Sequence, residues 1–166
     1  MISPMPPLNE QSPPVPSKDA IAAQLPQLRE LEKKVLWLST WMIHHANELR
    51  DNPGRPGGPG RSGGLKVGGH QASSASVVTI MTYLYFEFMK AGDRLSVKPH
   101  ASPVYHAIQY LLGNLDPKYL STLRGFHGLQ AYPSRTKDPD NVDFSTGSVG
   151  LGVAITAFAS LMQDYL

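Results

Sequence analysis

Apolar residues recur at helical spacing over a long stretch that begins at Pro26. They lie alternately three and four residues apart, which places them on one face of an α-helix. The apolar members are Leu28, Leu31, Val35, Leu38, Met42 and Leu49, and His45 lies on the same face. Proline suits the first turn of a helix, because the N–H that it lacks would be unpaired there anyway. The pattern therefore predicts an amphipathic helix that begins near Pro26.

Further helices are predicted downstream. Ser73 or Ser74 can cap one helix. A second helix is predicted to begin at Ser102-Pro103, a cap followed by a first-turn proline, and to end at Gly113. The two apolar faces consist of Val77, Met81, Leu84 and Phe88, and of Val104, Ile108, Leu111 and Leu112. Asp116-Pro117 repeats the start signal for a short helix, and a last apolar helix is predicted to begin near Ser148.

One strand is predicted, from Asp93 to Lys98, where apolar and polar residues alternate. A parallel sheet needs neighbouring strands, with helices on both of its faces. The expected fold class is therefore α/β, mostly helical in this chain, with an incomplete parallel sheet whose other strands lie elsewhere.

Two segments are predicted to lack packed structure. Residues 1–17 are rich in proline and form an expected extended arm. Residues 52–64 are rich in glycine and proline, which predicts a flexible insertion. The expected domain spans residues 18–166.

The amino-acid composition argues against several classes of function. A net charge of +2 with 17% charged residues gives no general electrostatic case for nucleic acid or a membrane surface. There is no cysteine, which excludes a disulfide framework and a thiolate nucleophile. The first residues do not have the pattern of a secretory signal. The apolar run 77–89 is too short to span a bilayer. We expect a cytoplasmic protein.

Three segments carry candidate chemistry. Residues 68–73 read GGHQAS, residues 98–103 read KPHASP, and residues 145–152 read STGSVGLG. In this order they resemble the cofactor domain of transketolase-type enzymes that use thiamine diphosphate. The resemblance is greater to the homodimeric decarboxylating component of pyruvate dehydrogenase, which also has a Tyr-Pro segment like Tyr132-Pro133.

The resemblance implies a role for each matched residue. His100 would contact the cofactor diphosphate, and Gly147 and Val149 would contact its two rings. His70 would face the substrate and assist proton transfer, and Ser73, close by, would contribute to the cofactor site. Tyr132 would line the substrate pocket, which favours an α-keto acid over a sugar phosphate.

The residues themselves support part of this interpretation. His100 is expected at a strand end beside a helix amino terminus, where ring N–H groups and the helix dipole both favour an anion. His70 lies in a glycine-flanked turn, where a backbone can approach a ligand closely. Lys98 could add phosphate affinity or be a solvated lysine. The remaining histidines, His44, His45, His106 and His127, match no motif and are expected to be structural or exposed.

The family's magnesium-binding Gly-Asp-Gly…Asn motif has no counterpart in this chain. We therefore expect an amino-terminal fragment or split subunit that is inactive alone, needs the remainder of the enzyme or a second subunit, and forms a homo-oligomer when complete. Magnesium would be held by residues outside this sequence. Two alternatives stay open: a non-catalytic remnant, and a module that keeps an anion site at His100 for another partner.

Overall fold

The computed structural model describes residues 17–50, 66–147 and 150–165, and these residues are mostly helical. Most of the proline-rich arm, the insertion 52–64 and Val149 lie outside the described residues. The α-helices are α1 (Lys18–His44), α2 (Gln71–Ala75), α3 (Val78–Tyr83), α4 (Ser102–Leu111) and α5 (Leu151–Tyr165). Single π-helical turns extend α1 and α3, at His45–Leu49 and Leu84–Phe88, and 3₁₀ turns form at Pro99–Ala101 and Pro117–Thr122.

Helix α1 begins two turns earlier than the sequence predicts. Ser17 caps it, with its hydroxyl accepting a hydrogen bond from the Ala20 amide at 3.2 Å. Pro26 therefore lies inside the helix, where it cannot donate to the carbonyl of Ala22. Both residues are exposed, so water can reach that carbonyl. The predicted start at Pro26 was wrong because the capping signal at Ser17 precedes it.

The core forms where α1 packs against α4, with α2 and α3 beside them. Val35, Met42 and Ile43 of α1 are buried against Tyr105 and Ile108 of α4 in one apolar cluster. Every residue from Ser102 to Gln109 is buried, so α4 is the central element. Its predicted end is confirmed: Gly113 has φ +80°, a left-handed conformation that glycine adopts without strain, and its amide donates to the Tyr110 carbonyl.

The helix predicted after Gly69 is divided and begins earlier than expected. His70 holds the N-cap position of α2, so neither Ser73 nor Ser74 is the cap. Val77 separates α2 from α3 with ψ near 0°. This break rotates the later residues, and Phe88 of the expected apolar face is 62% exposed.

The short helix predicted at Asp116-Pro117 is confirmed as a 3₁₀ turn. The Asp116 carboxylate accepts a hydrogen bond from the Lys118 amide at 2.9 Å. This backbone hydrogen bond lowers the pKa of Asp116.

The predicted strand does not form among the described residues. Residues 93–98 have no ladder partner there, and the Leu95 amide donates to the Asp143 carboxylate at 3.0 Å instead. A strand exists only where a second strand pairs its backbone groups, and the part of the chain that the structure describes supplies none. The incomplete parallel sheet therefore remains without structural support.

Helix α5 begins near the predicted position and has no buried residue. Val153, Phe158 and Leu161 are each more than 60% exposed. No helix within the described ranges combines the length and apolar character needed to cross a membrane.

Candidate functional site

A cavity of about 780 Å³ lies between the extended segment before α4 and the first turn of α5. Arg94, Lys98 and His100 line one side, and Gly150, Gly152 and Val153 line the other. Tyr132, Thr146 and Gly147 complete the wall. Three of the predicted site residues, His100, Tyr132 and Gly147, thus meet around one space.

The position of His100 follows from the turn that carries it. Pro99–Ala101 forms a 3₁₀ turn closed by the Ala101 amide, which donates to the Lys98 carbonyl at 2.8 Å. Val97 and Ala101 are buried on either side, which fixes the turn on the core, whereas Lys98 and His100 are exposed. Both basic residues line the cavity.

Glycine allows the opposite wall to approach closely. A Cβ atom at Gly152 would lie 2.6 Å from the Ser96 hydroxyl, which is closer than such atoms can come. Gly150 has φ +80° just before α5. The start of α5 therefore lies in close contact with the segment that carries Ser96 and Lys98, where a larger residue at position 152 would require the Ser96 hydroxyl to turn away.

The loop that precedes α5 contributes polar groups. The Thr146 amide donates to the Pro133 carbonyl at 3.0 Å, which ties the Tyr132-Pro133 segment to the cavity wall. Thr146 is only 8% exposed, and within the described residues its hydroxyl has no hydrogen-bond partner. The Ser96 hydroxyl lacks one in the same way. Tyr132 is 52% exposed.

His70 and Ser73 do not line this cavity. Both are exposed, at the start and in the middle of α2. Helix α2 nevertheless packs against the turn Pro99–Ala101, so the element that carries His70 adjoins the one that carries His100. The two histidines occupy neighbouring but separate parts of the surface.

The glycine pair before His70 is held by Asn47. The Gly68 amide donates to the Asn47 side-chain oxygen at 2.6 Å, and the Asn47 side-chain amide donates to the Gly69 carbonyl at 3.1 Å. A Cβ atom at Gly68 would lie 2.6 Å from the Ile43 carbonyl, so only glycine fits. Gly69 has φ +93°. These constraints fix where the chain enters α2 and hence where His70 lies.

The sequence did not reveal a buried histidine–carboxylate pair that joins α4 to the loop from 130 to 147. The Nδ1 atom of His106 lies 2.6 Å from the Asp140 carboxylate, and both side chains are fully buried. Asp138, nearby, accepts hydrogen bonds from the Gln130 and Ser134 amides at 2.7 Å each. Burial raises the pKa of Asp138, and these two hydrogen bonds oppose the rise. The structural role expected for His106 fits its burial, but no spacing in the sequence indicates its partner.

The ligand atoms of His106, Asp138 and Asp140 lie within 4.8 Å of one another, a spacing that a metal ion can also occupy. The hydrogen bonds already described account for both Asp138 oxygens and for one Asp140 oxygen. These hydrogen bonds hold the loop from 130 to 147, which carries Tyr132 and Thr146, against α4, and the second Asp140 oxygen is buried with no partner among the described residues.

No family model matches the chain. It is 29% identical over 143 residues to the pyruvate dehydrogenase E1 component of Mycolicibacterium smegmatis, which covers 80% of this chain and 14% of that protein. The E1 components of Cupriavidus necator and Escherichia coli K12 are each 32% identical, over 109 and 111 residues, covering 60% and 61% of this chain and 12% of each relative. The chain thus spans about an eighth of the length of the curated relatives it matches and is similar to one region of these E1 components.

Proposed function

We propose that this chain forms one wall of the cofactor site in a thiamine diphosphate-dependent enzyme of the pyruvate dehydrogenase E1 kind. The similarity to a region of E1 components supports the proposal. The observation that carries it is that His100, Tyr132 and Gly147 line one cavity, although each was predicted from a separate sequence motif. When bound, thiamine diphosphate supplies a carbanion and an electron sink for breaking a carbon–carbon bond.

The residues present fit an anionic cofactor with an apolar part. His100 and Lys98 offer donors at one side of the cavity, and Val153 offers an apolar surface at the other. Thr146 supplies a buried hydroxyl that lacks a partner in the described part of the chain. We assign diphosphate binding to His100 and ring contact to Gly147. Val149, outside the described residues, is assigned to the rings from sequence alone.

The cavity does not fit a magnesium ion. Magnesium prefers carboxylate and other oxygen ligands in near-octahedral geometry. None of the described residues that line the cavity carries a carboxylate or an amide side chain. Any magnesium ion that accompanies the cofactor would need ligands from another part of the enzyme.

We assign substrate chemistry to residues beside the cofactor wall. His70, on the neighbouring helix α2, would hold or deliver a proton at the substrate carbonyl, with Ser73 on the same exposed helix. Tyr132 would bound the substrate pocket, which favours an α-keto acid. The rest of an E1 component, as a second polypeptide or subunit, would supply the metal ligands and the remaining acid–base groups.

The test is reconstitution of activity. The purified chain is mixed with a polypeptide that carries the rest of an E1 component, and pyruvate consumption is followed with thiamine diphosphate and magnesium. We expect turnover in the mixture and none from either part alone. Turnover by this chain alone would refute its proposed dependence on a partner, and a mixture that associates but stays inactive would support a non-catalytic remnant.

A simple anion-binding module is the second candidate, because basic side chains line the cavity. The two functions differ in the ligand that they require. A module of this kind would bind phosphate and pyrophosphate as well as it binds the complete cofactor. The proposed enzyme component should prefer thiamine diphosphate, since the cofactor rings contact the wall at Gly147.

A further inference from the structure

We propose that a proline-rich segment of this same chain, residues 4–10, binds a groove between α1 and α4 that Trp37 borders. The groove shares no lining residue with the cavity at His100. The proposal concerns a separate surface of the molecule and does not depend on the cofactor.

The groove has an apolar lining with two lysines. It has a volume of about 430 Å³ and lies between the middle of α1 and the last turn of α4. Its lining residues are Lys33, Lys34, Trp37, Leu38, Tyr110 and Leu111. Trp37 is 64% exposed, although its neighbour Leu38 is buried in the core. Contact with an apolar segment would remove much of this indole from water, which is favourable.

The exposed indole of Trp37 is held in place by its neighbours. It stacks on the Trp41 ring, with centroids 6.4 Å apart and an angle of 13° between the planes. The Trp41 ring in turn lies 5.1 Å from the His45 ring. A side chain that is already ordered loses little entropy when a ligand binds. Aromatic-lined grooves are the surfaces that recognise polyproline II segments.

A segment with the matching chemistry precedes α1 in the sequence. Residues 1–16 include six prolines, and their one ionisable side chain is Glu10. Lys33 is already bonded to Glu30 at 2.6 Å. Lys34 is exposed and has no carboxylate within ion-pair distance among the described residues. The charge of Glu10 is therefore complementary to that of Lys34.

The length of the segment also matches the distance along α1. A helix rises about 1.5 Å per residue, so Lys34 and Trp37 lie about 26 Å and 30 Å beyond Ser17. A polyproline II segment rises about 3.1 Å per residue, so Glu10 and Pro6-Pro7 can lie about 22 Å and 31–34 Å from Ser17. A chain that turns back at Ser17 thus brings Glu10 beside Lys34. The same register brings Pro6-Pro7 beside Trp37.

Attachment to the same chain favours this segment over a separate protein. A tethered segment has an effective concentration in the millimolar range, so even a weak contact is populated. Polyproline II segments are also extended before they bind, which lowers the entropy lost on binding.

The test uses the full chain, which has no cysteine of its own. A nitroxide spin label is attached to the variant Met5→Cys, and the indole N–H signals of Trp37 and Trp41 are recorded by NMR. We expect the Trp37 signal to be lost and to return when the nitroxide is reduced. The double variant Pro6→Gly, Pro7→Gly in the same labelled chain should restore most of the signal.

The matched control is the double variant Pro13→Gly, Pro14→Gly. It makes the same change in composition, but these two prolines can reach only about 9–12 Å from Ser17 and so cannot contact Trp37. The Trp37 signal should stay lost in this control. Glu10→Gln should restore the signal partly, because it removes the charge opposite Lys34.

Mixing spin-labelled chains with isotope-labelled chains that carry no nitroxide detects contact between molecules. Loss of the Trp37 signal within one molecule but not in the mixture supports the proposal. Equal loss in the mixture assigns the groove to a second copy of the chain and overturns the proposal. A Trp37 signal at full intensity beside the nitroxide also overturns it, as does equal recovery in both double proline variants.

Discussion

Alanine in place of His70 is expected to lower turnover roughly a hundred- to ten-thousandfold in the enzyme reconstituted from this chain and the rest of an E1 component. This is the usual cost of removing a general acid–base group. Affinity for thiamine diphosphate should change little, because His70 lies on α2 and does not line the cavity. Turnover is measured at saturating pyruvate over a wide range of cofactor concentrations.

Comparing His70→Ala with His100→Ala separates a catalytic role from a cofactor-binding role. His100 lines the cavity and is the proposed diphosphate ligand. Its loss should weaken cofactor binding by about ten- to a hundredfold, the effect of one hydrogen bond to a charged group. Raising thiamine diphosphate should therefore restore turnover in His100→Ala and should not restore it in His70→Ala.

His44→Ala is the matched control, since His44 is an exposed histidine in the last turn of α1 and lies outside the cavity lining. It should match the unmodified chain throughout. If His70→Ala and His100→Ala both recover with added cofactor, or if neither does, their assignment to different roles is wrong.

Asp140→Ala is expected to have the largest effect on stability, lowering the free energy of unfolding by about 1–3 kcal/mol. Asp140 is fully buried, and its carboxylate lies 2.6 Å from the His106 ring. Removal of the carboxylate leaves a buried polar ring without its partner. Asp140→Asn should cost less, because the amide oxygen can still accept a hydrogen bond from the ring. Urea unfolding followed by circular dichroism measures both variants.

Glu30→Ala is the matched control for this pair. Glu30 is bonded to Lys33 at 2.6 Å, but both side chains are more than 60% exposed, so solvent screens the pair and its loss should change the stability little. A loss from Asp140→Ala no larger than that from Glu30→Ala would contradict the structural role of the buried pair. An Asp140→Asn variant that is less stable than Asp140→Ala would also contradict this role.

Local signals in the sequence predicted several elements well. Ser102-Pro103 and Gly113 bracket α4, because a first-turn proline and a left-handed glycine act within a few residues of themselves. Asp116 caps the 3₁₀ turn for the same reason. Pro26 misled the prediction, because its exposed position lets a helix that was already capped at Ser17 continue through it.

Features that depend on distant parts of the chain were not predictable. The segment 93–98 alternates like a strand, but strand formation depends on a partner, and the described residues hold none. The pairing of His106 with Asp140 joins residues 34 positions apart and has no local signature. The meeting of His100, Tyr132 and Gly147 was suggested by family resemblance, and only the structure places these three around one cavity. The sequence did not indicate that His70 would lie outside the lining of that cavity.

Thiamine diphosphate is proposed to bind in the cavity at His100. The most direct measurement is a titration of the full chain with thiamine diphosphate, followed through the NMR signals of its histidine rings. We expect thiamine diphosphate to shift the His100 signals saturably and to leave the signals of His44, His106 and His127 unmoved. The response should be lost in His100→Ala. A titration that leaves His100 unmoved, or that moves His44 and His127 as much as His100, would contradict it.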